Sequence, residues 1–169
     1  MVTTRPQRSG PQRTVTAMTE LLTLIATWLS IHFGLPAIDA HPRVELVPSV
    51  RMAALRYRGL AGDRAPVATN ASDAPLDAGR NIVALYDDTR RVIYLPQDWR
   101  GTPAEVSVLV HEMVHHLQNE AGMKFACPAE REKEAYYAQA KYLALHGLTL
   151  EQEFEIDALS LLVRTNCLD

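Results

Sequence analysis

The stretch TPAEVSVLVHEMVHHLQN, Thr102 to Asn119, leaves the chain little choice but a helix. Thr102 and Glu105 have the spacing of a capping box, Pro103 suits the first helical position, and Gly101 ends whatever precedes it. Val106, Leu109, Val110, Met113, Val114 and Leu117 spread over much of the circumference, so the helix is expected to be enclosed by neighbours. His111, Glu112 and His115 fall inside this apolar run, where polar groups without partners are costly.

Together they spell H-E-x-x-H, and one turn of helix puts His111 and His115 on the same face, where both imidazoles can reach one metal ion. Glu112 is rotated off that line, so its expected role is not ligation but taking a proton from a hydrolytic water. The competing reading is a structural helix whose histidines are merely hydrogen-bonded. A zinc site is preferred, because an ion explains three polar residues in a capped, largely apolar helix.

A chain of 169 residues most simply makes one domain with a core of its own. Its formal charge is −3, from 17 basic and 20 acidic residues, which argues against a nucleic-acid partner. Cys127 and Cys167 are the only cysteines, too few for a cysteine-rich zinc knuckle. They are left either as one disulfide pinning the C-terminus or as two buried thiols.

Residues 1–14 are basic and polar and read as a disordered leader, with a single domain over 15–169. Leu21 to Phe33 has some character of a signal-peptide core, but Glu20 and His32 weaken it. An amphipathic helix from Val15 to Phe33, ended by Gly34 and Pro36, is favoured, and with it a cytoplasmic location; a cleaved leader would mean a secreted or periplasmic one. No apolar run reaches the length of a membrane span. RVELV (43–47) is a strand candidate, SVRMAALRY (49–57) a possible helix, and Arg58 to Gly79 loop-like. Ile82 to Tyr86 and Val92 to Leu95, separated by DDTRR, predict a β-hairpin leading into the histidine helix. Either strand is a candidate edge for an extended peptide. From Thr149 to Arg164 one more helix is expected, capped by Thr149, with Leu150, Phe154, Ile156, Leu159, Leu162 and Val163 as a packing surface.

A catalytic zinc commonly has three protein ligands and one open position, so a third ligand is needed. His116 points about 100° away from His115, and His146 is a weak candidate. A helix from Glu130 to His146 does better. In projection Glu132 falls within the expected packed arc of Ala135, Tyr136, Ala138, Gln139, Tyr142, Leu143 and Leu145, whereas Glu130 is solvated and Glu134 marginal. Glu132 is the preferred ligand, with Glu134 second and Glu130 third. A row of solvated charges would leave Glu132 and Gln139 unexplained.

HEMVHH followed by an ExxA segment on the next helix resembles the gluzincin branch of zincin metallopeptidases. More narrowly, LVHEMVHHLQNEAG with REKEAYYAQAKYLA is similar to a family of small bacterial zincin-like proteins. The resemblance covers about Asn81 to Leu145. It implies an α+β, zincin-like fold, with a small twisted sheet or hairpin on the active helix and a second helix bearing the third ligand. It further implies Zn2+ held by His111, His115 and Glu132, with Glu112 as general base in peptide-bond hydrolysis. In gluzincins the residue four after the ligand glutamate often orients the first histidine as Asp or Asn. Here that position is Tyr136, which together with Tyr137 and His116 is a candidate orienting group or oxyanion donor. The alternatives to a general peptidase are a non-catalytic metal-binding or interaction module and a protease with one specific protein target. Glu112 favours an enzyme, since a purely structural site needs no base.

Overall fold

A computed structural model describes residues 11–38, 40–61 and 84–167. The leader up to residue 10, most of the loop-like stretch (62–79) and residues 82–83 of the first hairpin strand lie outside them. The element order is α1 (Pro11–Phe33), β1 (Arg43–Val47), α2 (Ser49–Ala61), β2 (Leu85–Asp87), β3 (Val92–Pro96), α3 (Pro103–Glu120), α4 (Pro128–Ala144), α5 (Leu150–Phe154) and α6 (Ala158–Thr165). This is an α+β fold in which a small mixed sheet packs against helices, and α3 with α4 form the His/Glu-bearing pair of a zincin-like arrangement.

The sheet is three-stranded with order β1-β3-β2. β1 runs parallel to β3, pairing Val44 with Ile93 and Leu46 with Leu95, and β2 runs antiparallel to it, pairing Tyr86 with Ile93. The hairpin turns where expected. The Asp87 carboxylate accepts from the Arg90 backbone N–H at 2.8 Å, and Arg91 takes a positive φ of 54°. β3 is therefore central, and its Val92, Ile93, Tyr94 and Leu95 are all buried, the continuous apolar run of a strand covered on both faces. Ile93 and Leu95 join the main core with α1 and α3; Val92 and Tyr94 join a smaller cluster with Val47 and Met52 of α2.

α1 starts at Pro11 rather than Val15 and packs Leu22, Ile25, Ala26 and Leu29 into the main core, the i, i+3, i+4, i+7 pattern of an amphipathic helix. It ends at Gly34, whose φ of 67° suits glycine. Among the described residues, no helix is long and apolar enough to cross a membrane.

The entry to α3 follows its sequence signals. Thr102 Oγ1 accepts from the Glu105 N–H at 3.3 Å, and the Glu105 carboxylate accepts from the Thr102 N–H at 2.8 Å. Gly101 has φ +74°, and a Cβ there would stand 3.3 Å from the Trp99 indole, so both backbone and space favour glycine. Every residue from Val106 to Gln118 is buried, as the all-round apolar pattern requires. Leu109 has no solvent exposure within this core. Leu109→Ala is expected to cost about 2–5 kcal/mol, read from the denaturant midpoint, because a packed interior closes only partly around a deleted side chain.

The C-terminal region corrects the single helix expected over 149–164. Thr149 does cap, accepting from the Gln152 N–H at 3.2 Å, but α5 stops at Phe154 and Glu155 turns left-handed with φ 56°. Asp157 then caps a new helix, its carboxylate accepting from the Ser160 N–H at 2.7 Å. Leu159, Leu162 and Val163 consequently face solvent, and no residue of α6 is buried. This end lies shallowly on α4 and is also held covalently. Cys127, at the N-cap of α4, and Cys167 form a disulfide with Cα atoms 5.9 Å apart, closing one of the two states left open for the cysteines.

Candidate metal centre

The central turns of α3 face α4 and the sheet. His111 and His115 project toward α4, and Glu132, in the first turns of α4, projects back. His111 Nε2 lies 3.1 Å from one Glu132 oxygen, His115 Nε2 lies 3.2 Å from the other, and the two Nε2 atoms are 3.2 Å apart. Ligand atoms of all three lie within 4.8 Å of one another. A tetrahedral zinc with bonds of about 2.0–2.1 Å has its ligand atoms about 3.3–3.4 Å apart, close to these separations.

The tautomers follow from the partners behind the rings. Ser107 donates its hydroxyl proton to the Ala104 carbonyl at 2.6 Å, so its oxygen can only accept from Gln139 Nε2, 3.4 Å away. That fixes the Gln139 amide with its oxygen toward His111 Nδ1 at 3.1 Å, which must then carry the proton. The Gln118 amide nitrogen donates to the Arg131 carbonyl at 3.3 Å and the Glu134 carboxylate at 3.2 Å, both acceptors only. Its oxygen therefore faces His115 Nδ1 at 3.2 Å, and that nitrogen is protonated too. Both Nε2 atoms are left as lone pairs aimed at the Glu132 carboxylate.

Three converging lone pairs repel one another unless a cation, shared protons or a metal ion, lies between them. Two imidazoles and one carboxylate, with the Glu132 side chain still 33% exposed, form a donor set with an open side. The residues fit a divalent ion. Burial by itself would raise the Glu132 carboxyl, but where shared protons on the two Nε2 atoms supply that cation, hydrogen bonds and charge from His111 and His115 outweigh burial and hold it well below the usual carboxylate range. Gln139→Ala and Gln118→Ala are each expected to lower metal affinity about 10–100-fold, measured by competition with a chromogenic chelator, because each amide holds one imidazole in its binding tautomer.

Glu112 is buried beside this group without belonging to it. Burial pushes its carboxyl up to about 7; the His111 charge opposes that, Glu132 adds to it, and the Tyr86 backbone N–H pulls the other way. A divalent ion in the group would draw it down again.

The other glutamates divide cleanly. Glu134 accepts from Gln118 and so serves His115 at one remove, and Glu130 accepts from the Ala126 N–H ahead of α4. His146 is exposed, its ring tilted against Tyr142, and it is not one of the converging donors. His116 is almost fully buried but turned away: its Nε2 donates to the Ala40 carbonyl at 3.3 Å, so Nδ1 accepts from the Tyr86 hydroxyl at 2.9 Å. Asn119 donates to the same hydroxyl oxygen at 3.0 Å. His116 thus ties β2, α3 and the segment after α1 together.

Tyr136 needs a correction of place. The seat that the resemblance gives it, orienting the first histidine, is filled by Gln139 nearly a turn further along α4. Tyr136 instead lays its ring T-shaped against His111 at 4.7 Å between centroids, and the length of the phenol carries its hydroxyl past the imidazole to Arg164. Tyr137 is exposed and packs edge-on against Phe33.

Arg131 was not singled out by pattern, yet it clasps the site. Its guanidinium donates to both Asp88 oxygens, from Nη1 at 2.7 Å and from Nη2 at 2.5 Å, and Nη2 also donates to the His115 carbonyl at 3.3 Å. The hairpin turn, α3 and the residue before Glu132 are thereby locked together. Only its place next to a ligand hinted at this, since both partners are distant in sequence.

No curated protein and no solved structure matches the chain. Residues 14–169 match the model of the family described as Domain of unknown function (DUF6647), and the chain belongs to that family.

Proposed function

We propose that this protein is a zinc-dependent peptidase of the gluzincin kind, with His111, His115 and Glu132 as ligands and Glu112 as general base. The observation that carries the reading is Glu112: a buried carboxylate beside the donor group, outside its ligand set, with a carboxyl raised to about 7. A site that only braced the fold would have no use for it.

A bound zinc would supply Lewis acidity, making a water at its open position a nucleophile near neutral pH. Glu112 would take that water's proton on a carboxylate oxygen and return it to the nitrogen of the departing amine. Gln118 and Gln139 keep both imidazoles in the binding tautomer throughout. Tyr136, half-buried and against His111, would offer its O–H to the carbonyl oxygen as charge builds there. Of the two candidate substrate strands, β3 is paired on both sides, so the extended peptide is assigned to the outer strand β2. The disulfide supports a compartment where thiols are oxidised over the cytoplasm favoured from the sequence alone.

The test is a digest of a complex peptide mixture, read by mass spectrometry for new termini. New termini that vanish with a chelator and return with added zinc support the proposal. Stoichiometric zinc with no cleavage would leave the non-catalytic metal module as the reading.

A further inference from the structure

The C-terminal helix brings a charged group onto a residue that packs against the site. Arg164, in the last turn of α6, donates from Nη1 to the Tyr136 hydroxyl oxygen at 3.3 Å. A guanidinium can only donate, so Tyr136 is the acceptor in this contact. A phenol has one proton, and no acceptor for it is found among the described residues. Arg164 likewise forms no ion pair with a carboxylate among the described residues. One neighbour thus occupies a lone pair of the Tyr136 oxygen, while the ring itself packs against His111 and the O–H has no acceptor among the described residues.

The hold on Arg164 is unusual. α6 leaves Leu159, Leu162 and Val163 in solvent and none of its residues is fully buried, so its packing on α4 is shallow. Just beyond Arg164, Cys167 is bonded to Cys127, the N-cap residue of the same helix that bears Glu132 and Tyr136. The disulfide therefore fixes the arm to the helix that its guanidinium serves.

We propose that Arg164 is a positioning residue for Tyr136, setting its hydroxyl as a donor into the metal site, and that the Cys127–Cys167 disulfide keeps Arg164 in place. This rests on reading the site as a metal centre at which an oxyanion is bound. Removing either Arg164 or the disulfide then removes the orientation of Tyr136 but not the ligands.

The experiment uses the full chain loaded with Co2+ and titrates it with acetohydroxamate, whose oxyanion stands in for the developing charge, following the visible cobalt bands. Tyr136→Phe and Arg164→Ala are each expected to weaken binding about tenfold or more, as for a lost hydrogen bond to a charged group. The double variant should be no weaker than either single one. Arg164→Lys should recover part of the loss. The Cys127→Ser/Cys167→Ser variant, and the wild-type protein before and after reduction with a phosphine, should match Arg164→Ala while keeping full cobalt stoichiometry. Additive losses in the double variant, or Arg164→Ala binding like wild type, overturn the positioning role. Wild-type affinity after reduction overturns the part given to the disulfide. Failure of the wild-type chain to take up cobalt is a different result, sinking the metal-centre reading beneath.

Discussion

Glu112→Gln is expected to keep a full equivalent of metal while lowering kcat/KM for peptide cleavage by about 10²- to 10⁴-fold, the usual worth of a positioned general base. The variant should fold, because the amide has nearly the volume of the acid and burial penalises the charged form at this position. The three ligands are untouched. Metal analysis and cleavage progress curves on the same preparation separate the two effects. Metal retained together with wild-type cleavage would place the base elsewhere.

The second large effect belongs to the ligands. His111→Ala or His115→Ala leaves two donors where three had converged, and stoichiometric binding of a divalent ion should be lost. The drop should exceed the ~10–100-fold expected when only an orienting partner is removed. Thermal unfolding gives a readout independent of any assay. An ion at 100 times its Kd adds about 2.7 kcal/mol to the folded state, so added zinc should raise the wild-type Tm and leave both variants where they are. A zinc-dependent rise that survives in His115→Ala would put the ion somewhere other than this group.

Much of this site is local, and so was legible in the sequence. The capping box, the i, i+4 histidines and the turn at DDTRR each depend on residues a few positions apart. Glu132 was reachable because a helix exposes its faces to simple projection, and the same projection set Gln139 among the buried residues before its partner was known. What stayed hidden depends on contacts across the chain. Gln118 reads as one more polar residue near the end of α3 until the Arg131 carbonyl and Glu134 are seen behind it. Val92 to Leu95 looked equally fit to be an edge strand, because its pairing with Arg43 to Val47 joins segments distant in sequence. The break between α5 and α6 rests on Asp157 finding Ser160 as a capping partner, a choice that the apolar spacing of Leu150 to Val163 did not reveal. Arg164 lay in a helix expected only to scaffold the site; the cysteine pair was the one clue that this end returns to the head of α4.

The amides behind the two histidines have a consequence for charge. Gln118 and Gln139 orient the rings as carboxylates would, but they contribute no negative charge of their own. With two neutral imidazoles and the single carboxylate of Glu132, a divalent ion in this group keeps a net positive charge. A carboxylate behind either ring would cancel it and enrich the imidazole in electron density. The amide version gives up some grip on the ion and leaves it electron-poor, a better acceptor for an incoming oxygen. Gln139→Glu, nearly the same shape with one more charge, is the substitution that should trade one property for the other.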